Sequence, residues 1–257
     1  MKTEKNSVRL RKILYLYINT LETIYRIGNK DNIFAITPKN NNLAHQSIKL
    51  FLPDKRDYIQ QRIIVIKNFY EDDILRAMGT YIDQNSVVID IGSNIGNHVL
   101  YFGKILNAKK IYAFEPQKEV FNILKRNVEL NELTNKVNIY NLALGSKTSS
   151  ATIDYDGGLC NNLGMTSIKE DENGLLKIEK LDDVIIDVKK INFIKIDVEG
   201  FESDVLKGAS LTIQKYKPTI WIESFGENYI KTKEFLVDKG YVLKKEFPDF
   251  NYLFVPA

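Results

Sequence analysis

The sequence predicts an α/β fold. It reads as a central, mostly parallel sheet with helices on both faces, an antiparallel C-terminal strand and an N-terminal extension of helix and short strands. Three observations carry that expectation. From Ser86 onward, strand-like apolar runs alternate with helix-like periodicity, the order that builds parallel sheets through crossover helices. Val87 to Ile91 is apolar except for Asp90, as in a strand buried on both faces. With 257 residues, 44% of them apolar and 27% charged, the chain can bury a sizeable core without disulfide support.

In chain order, residues 5–27 predict a basic amphipathic helix, with Leu10, Leu14, Tyr17, Leu21 and Ile24 at helical spacing and Gly28-Asn29 as its stop. Ile33 to Ile36, Ile48 to Leu52 and Ile63 to Ile66 read as short strands, parted by the asparagines 40–42 and by Pro53-Asp54. Asp72 to Tyr81 reads as a helix leading into the main domain. There follow a strand at Val87 to Ile91, a helix from about Ile95, a strand at Ile111 to Phe114, a helix at Lys118 to Leu130 and a strand at Val137 to Leu142. A polar, irregular stretch from Gly157 to Gly174 precedes strands at Phe193 to Asp197 and Ile220 to Glu223. Tyr241 to Lys245 and Tyr252 to Val255 form an antiparallel pair joined through Pro248. The expected division is an extension over residues 1–85 and a main domain over 86–257.

The formal charge is +3, but residues 1–30 carry +5, residues 31–85 are neutral and residues 86–257 carry −2. A chain-wide basic surface for a nucleic-acid backbone does not fit that distribution, so no nucleic-acid partner is expected. The single cysteine, Cys160, excludes an intramolecular disulfide framework, and two histidines make a His-rich metal site a poor expectation. No run reaches the roughly 18 apolar residues of a membrane-spanning helix. The short run Ile13 to Ile18 lacks a small-residue cleavage site after it, so a cytoplasmic location is expected. The basic helix has two readings: docking on the domain or a second subunit, and peripheral contact with an anionic membrane.

The chemistry concentrates at three strand ends. Val87-Val-Ile-Asp-Ile-Gly-Ser-Asn-Ile-Gly96 runs a buried strand into Asp90 and then into a turn made by Gly92, Ser93, Asn94 and Gly96. Ligands of open α/β sheets sit beyond such a turn, where glycine lets them approach the backbone. The Gly-x-x-x-Gly spacing differs from the Gly-x-Gly-x-x-Gly of dinucleotide sites, and an acid ahead of the turn suits a cationic amino-acid moiety. Glu115, before Pro116 and 25 residues after Asp90, is placed to accept hydrogen bonds from both ribose hydroxyls. The two together describe S-adenosylmethionine. Phe193-Ile-Lys-Ile-Asp-Val-Glu-Gly-Phe-Glu202 then releases Asp197, Glu199 and Glu202 around Gly200. A carboxylate there suits general-base removal of an alcohol proton.

These stretches resemble the FkbM family of S-adenosylmethionine-dependent methyltransferases. The likeness spans roughly residues 65–225. It includes Tyr70-Glu71, the glycine turn, Ala-Phe-Glu-Pro116, Leu124…Asn127…Asn131, Ala143-Leu-Gly145, the Asp197 to Glu202 run, Val205-Leu-Lys-Gly208 and Pro218…Glu223. It implies a Rossmann-like class I methyltransferase fold with a seven-stranded sheet, and methyl transfer to a hydroxyl of a sugar, glycan or small metabolite. Residue by residue, it implies that Asp90, Gly92, Asn94 and Gly96, with Ser93 where an alanine is more usual, hold the cofactor's amino-acid end. Glu115 and Pro116 lie at its ribose, and Asn141 to Ala143 at its adenine edge. Asp197 and Glu199 face the transfer site. His98 stands where the family commonly has a hydroxyl residue, either touching the acceptor or serving structure. Glu71 is open to a role beside the cofactor or to one at a helix start. Asn161, Asn162, Thr166 and Glu223 are the candidates for reading the acceptor, with the stretch around Asn161 equally readable as a loop. A ribose or other nucleic-acid methyltransferase and a non-catalytic binding protein that kept the fold are the alternatives. Against the first, the fourth-strand position reads Ile-Asp-Val-Glu in place of Asn/Asp-Pro-Pro-aromatic.

Overall fold

The computed structural model describes residues 31–38, 47–154, 167–185 and 188–257. The expected helix over 5–27 and the residues Cys160, Asn161, Asn162 and Thr166 lie outside them.

An antiparallel pair, β1 (Ile33–Ile36) and β2 (Ile48–Phe51), opens the described chain. The expected strand at Ile63 to Ile66 is instead the last turn of a helix, α1 (Tyr58–Ile66). Asp57 accepts a hydrogen bond from the Gln60 N–H at 2.9 Å, and that N-cap turns the branched run into a helix which buries Ile63. Next come α2 (Asp72–Met78), β3 (Val87–Ile91) and α3 (Asn97–Leu100), the last running on as a π-helical turn, Tyr101–Ile105. The chain continues through β4 (Lys110–Phe114), α4 (Lys118–Leu130) and β5 (Val137–Tyr140).

The strand expected to reach Leu142 stops at Tyr140, and the chain leaves the main sheet. It builds a second one from β6 (Ala143–Leu144), β7 (Ser149–Asp154), β8 (Ser167–Glu170) and β9 (Leu176–Glu179), in the order β6-β9-β7-β8. Part of the stretch expected to be irregular is therefore strand. Its polar composition hides the pairing, because short strands with few apolar residues give no clear period.

After α5 (Leu181–Val184) the chain returns to the main sheet through β10 (Phe193–Ile196), α6 (Glu202–Gly208), α7 (Ser210–Tyr216), β11 (Thr219–Glu223), α8 (Gly226–Asp238), β12 (Tyr241–Phe247) and β13 (Asn251–Pro256). The seven strands lie in the order β12-β13-β11-β10-β3-β4-β5. From β5 to β11 neighbours are parallel, while β13 runs antiparallel to β11 and β12. The mostly parallel seven-stranded sheet and its antiparallel end match the expectation.

Alternation along the strands feeds two apolar layers. Val88 joins Val99, Leu124 and the extension's Ile36, Ile48, Leu50 and Leu52 on one side. Ile89, Ile91, Ile194, Ile196, Ile220 and Ile222 pack with Val205, Leu206, Ile213 and Leu236 on the other. Asn127 and Asn131 on α4 hold β2 through their side-chain amides. Asn127 accepts the Phe51 N–H at 2.6 Å and donates to the Ile95 carbonyl at 2.8 Å. Asn131 accepts from the Lys49 N–H at 3.1 Å and donates to its carbonyl at 2.7 Å. The two amides thus give the edge of β2 the partners a strand would, and tie it to the glycine turn.

The chain winds outward from β3 to β5, then crosses back to β10 on the other side of β3. That reversal opens a crevice beyond the carboxyl ends of β3 and β10.

Candidate functional site

Parallel register sets Asp90 of β3 beside Lys195 of β10, and both side chains are buried. The Lys195 Nζ lies 3.6 Å from Asp90 Oδ1 and 3.0 Å from Asp197 Oδ2, and donates to the Gly92 carbonyl at 3.1 Å. Burial works against charge on Lys195, yet Asp197 and Asp90 overcome it and hold the ammonium above the usual lysine range. Burial pushes the Asp90 carboxyl up, with Lys195 opposing. Among the described residues, neither Asp90 oxygen has a hydrogen-bond partner within 3.5 Å, the Lys195 ammonium standing just beyond at 3.6 Å. Lys195 is the member of this cluster that sequence reasoning passed over. Its signal was a lone cation in a strand apolar at every other position.

The turn after β3 is built by its backbone. Gly92 has φ 77°, and a Cβ there would fall 1.8 Å from the Asp197 carbonyl oxygen, so only glycine lets the two strand ends meet this closely. Ser93 Oγ donates to the Asp90 carbonyl at 2.8 Å, and the Gly92 and Ser93 N–H groups donate to Phe114 O. Asn94, itself at φ 47°, donates its N–H to Glu115 Oε2 at 3.0 Å, while Gln117 donates to Oε1 at 2.9 Å. Gly96, at φ 90°, leads into α3. Burial raises the Glu115 carboxyl to about 7 against the pull of those two N–H groups. Asn141 Nδ2 donates to the Glu115 and Pro116 carbonyls at 3.0 and 2.8 Å, which fixes the end of β4. Ala143, buried, begins the second sheet. Asp90, Gly92, Ser93, Asn94, Gly96, Glu115, Pro116 and Asn141 thus form one continuous hydrogen-bonded corner.

The opposite wall is acidic. Glu199 sits in the left-handed region at φ 49°, followed by Gly200. Glu202, buried at the start of α6, accepts the Gly200 N–H at 2.8 Å and the Asn228 amide, which fastens that turn. Burial, then Asp197 and Glu202, raise Glu199 to about 7. Glu223 ends β11; burial, then Asp197 and Glu71, push its carboxyl well above the usual range. Glu71 Oε2 lies 3.0 Å from His98 Nε2, and the His98 ring packs edge-on to Trp221 at 5.0 Å. Trp221 Nε1 donates to Asn251 Oδ1 at 2.6 Å, and Asn251 Nδ2 reaches Glu223 at 3.4 Å. Asp197, Glu199, Glu223 and Glu71 are therefore close enough to perturb one another around Lys195. His98 is buried against Trp221 with its Nε2 committed to Glu71.

The pattern of the methyltransferase FkbM domain matches residues 90–243, from the acid of the glycine turn to β12. The chain belongs to the FkbM methyltransferase family. Curated relatives of this FkbM methyltransferase carry the same activity in their names. Methyltransferase 1 of Beauveria bassiana is 27% identical over 193 residues, spanning 65% of this chain and 76% of that protein. The hexuronic acid methyltransferase AglP of Haloferax volcanii is 29% identical over 146 residues, spanning 56% of this chain and 58% of its own length. Among solved structures, methyltransferase FkbM from Methylobacillus flagellatus shares the fold, with a TM-score of 0.51 at 18% identity. That match covers 79% of this chain and 56% of the other, so this FkbM chain spans little more than half the length of that relative.

Proposed function

We propose that this methyltransferase uses S-adenosylmethionine to methylate a hydroxyl of a sugar, glycan or small metabolite. The observation that carries the reading is the pairing of Asp90 and Glu115 at adjacent strand ends, on the crevice where the sheet reverses. The residues present fit the cofactor. Asp90 Oδ1 pairs with Lys195 at 3.6 Å, while Oδ2 has no donor among the described residues and keeps capacity for an ammonium met directly or through water. Each Glu115 oxygen already takes one N–H and keeps capacity for one ribose hydroxyl.

When bound, S-adenosylmethionine supplies a methyl group on a sulfonium, a good leaving group. Glu199 is the better proton acceptor of the two candidate acids, because a carboxyl raised to about 7 is poised near neutral pH. Asp197 is engaged by Lys195 at 3.0 Å and serves to hold the wall. Glu199 would take the acceptor hydroxyl's proton as that oxygen is methylated. His98 and Glu71 support Trp221 and the acidic wall from behind. Calorimetry with S-adenosylhomocysteine tests the cofactor half of this reading. Absence of binding, or binding unchanged in both Asp90→Ala and Glu115→Ala, would remove it.

A further inference from the structure

Beside the carboxyl end of β11, where Glu223 lies, two aromatic rings are exposed. Phe225, 51% exposed, lies two residues past the end of β11, and Phe250, 59% exposed, precedes Asn251, the register partner of Glu223. Their ring centroids are 6.0 Å apart at an interplanar angle of 48°. Single apolar residues on a surface require no explanation. Two phenylalanines in ring contact beside a buried carboxylate wall do.

The turn that displays Phe250 is built with care. Asp249 and Phe250 have φ of 56° and 59°, a conformation that bulky side chains avoid. Asn251 Nδ2 clamps it by donating to the Asp249 carbonyl at 3.0 Å, and the Ser224 N–H donates to Phe250 O at 3.1 Å. The same Asn251 amide reaches Glu223 and receives the Trp221 indole N–H. One residue therefore sets the aromatic pair and the acid in register.

We propose that Phe225 and Phe250 form a stacking platform for a neutral pyranose ring of the acceptor, with Glu223 receiving its hydroxyls. This rests on the sugar O-methyltransferase reading above. A pyranose presents a face of C–H groups, which an aromatic ring takes through dispersion and C–H contacts, and an edge of hydroxyls, which a carboxyl takes. The wall disfavours a further negative charge. Burial, with Asp197 and Glu71, already drives the Glu223 carboxyl toward its neutral form, and a ring bearing its own carboxylate beside it meets the same penalty.

The test uses the full chain, with and without S-adenosylhomocysteine, and titrates methyl glucoside, galactoside and mannoside against methyl glucuronide by saturation-transfer NMR. At least one neutral glycoside is expected to bind through its C–H face, with the glucuronide about tenfold weaker or absent. Phe225→Ala/Phe250→Ala, checked by its melting curve, is expected to weaken the neutral sugar about tenfold, the loss of one or two aromatic contacts. Phe225→Tyr/Phe250→Tyr is expected to restore it, and cofactor affinity stays unchanged in both. Equal or preferred binding of the glucuronide, no neutral glycoside binding, or binding indifferent to the double alanine variant would overturn the platform. So would a change of oligomeric state in that variant, which would make the pair a subunit contact. Loss of S-adenosylhomocysteine binding alone would instead strike the cofactor reading, since the sugar titration is also run without it.

Discussion

At the ends of β3 and β4, Glu115 is met by two backbone N–H groups from its own neighbourhood, Asn94 and Gln117. At the ends of β10 and β11, Glu199 and Glu223 are met by other carboxylates, with Lys195 as the buried cation between Asp90 and Asp197. Burial raises acids in both halves, but Glu115 is opposed by two backbone N–H dipoles, whereas Glu199 and Glu223 are raised further by neighbouring carboxylates. In the reading proposed above, the first half holds a defined polar ligand and the second keeps a proton acceptor near neutrality.

Breaking the second half at its acceptor should have the largest effect. Glu199→Gln is expected to lower kcat about 10²–10⁴-fold with cofactor affinity nearly unchanged. The sign of the pH dependence follows from the raised carboxyl: below about 7 Glu199 is protonated and cannot take a proton, so kcat rises as pH passes through that value. Profiles of kcat report the loaded enzyme, in which Glu115 is already engaged. Glu199→Gln should therefore abolish the acid limb, and Asp197→Asn should retain it. A limb that survives in Glu199→Gln would move the base elsewhere.

Removing the cation that joins the halves comes next. Lys195→Met leaves Asp90 and Asp197 facing each other without it, and broken buried pairs cost about 3–5 kcal/mol. Urea unfolding should show that loss at pH 8 and a smaller one at pH 5, where the Asp90 carboxyl, already pushed up by burial, can protonate. A loss below about 1 kcal/mol at pH 8 would show that Lys195 is not what holds the two strand ends together.

The same contrast explains what could be read from the sequence. Asp90, the glycine turn and Glu115 are each made by a strand and the turn directly after it, so the alternating pattern placed them in advance. The acidic wall draws Glu71, Asp197, Glu199, Glu223 and Asn251 from four separate segments, and only the sheet order brings these together. Glu71 illustrates the gap: its partner His98 is 27 residues away, and nothing local announces the pair. Lys195 was hidden for another reason, since a lysine in a strand ordinarily reads as a surface position. The second sheet escaped because its strands are short and polar, and Ile63 to Ile66 misled because a cap at Asp57 outweighed four branched residues.

In the first half, Asp90→Ala and Glu115→Ala should each weaken S-adenosylhomocysteine binding by about 1–3 kcal/mol, a roughly 5- to 150-fold rise in Kd. The acceptor's KM should stay within about twofold, because the two halves bind different parts of the reaction. If either variant raised acceptor KM as strongly as cofactor Kd, the division between the halves would fail.

The smallest expected effect is the one that best separates touching from positioning. Asn141 is exposed, and its amide nitrogen is occupied by the Glu115 and Pro116 carbonyls. In Asn141→Ala those carbonyls gain water, so the penalty is limited to a looser strand end, about 1 kcal/mol or less. Cofactor Kd should then rise up to about fivefold by calorimetry, with kcat unchanged. The Asn141→Ala loss should also shrink when Glu115 is already alanine, since the amide acts through that residue. A loss above about tenfold, additive with Glu115→Ala, would mean that Asn141 contacts the adenine itself. In that case the cofactor half would reach beyond β4 to the start of the second sheet.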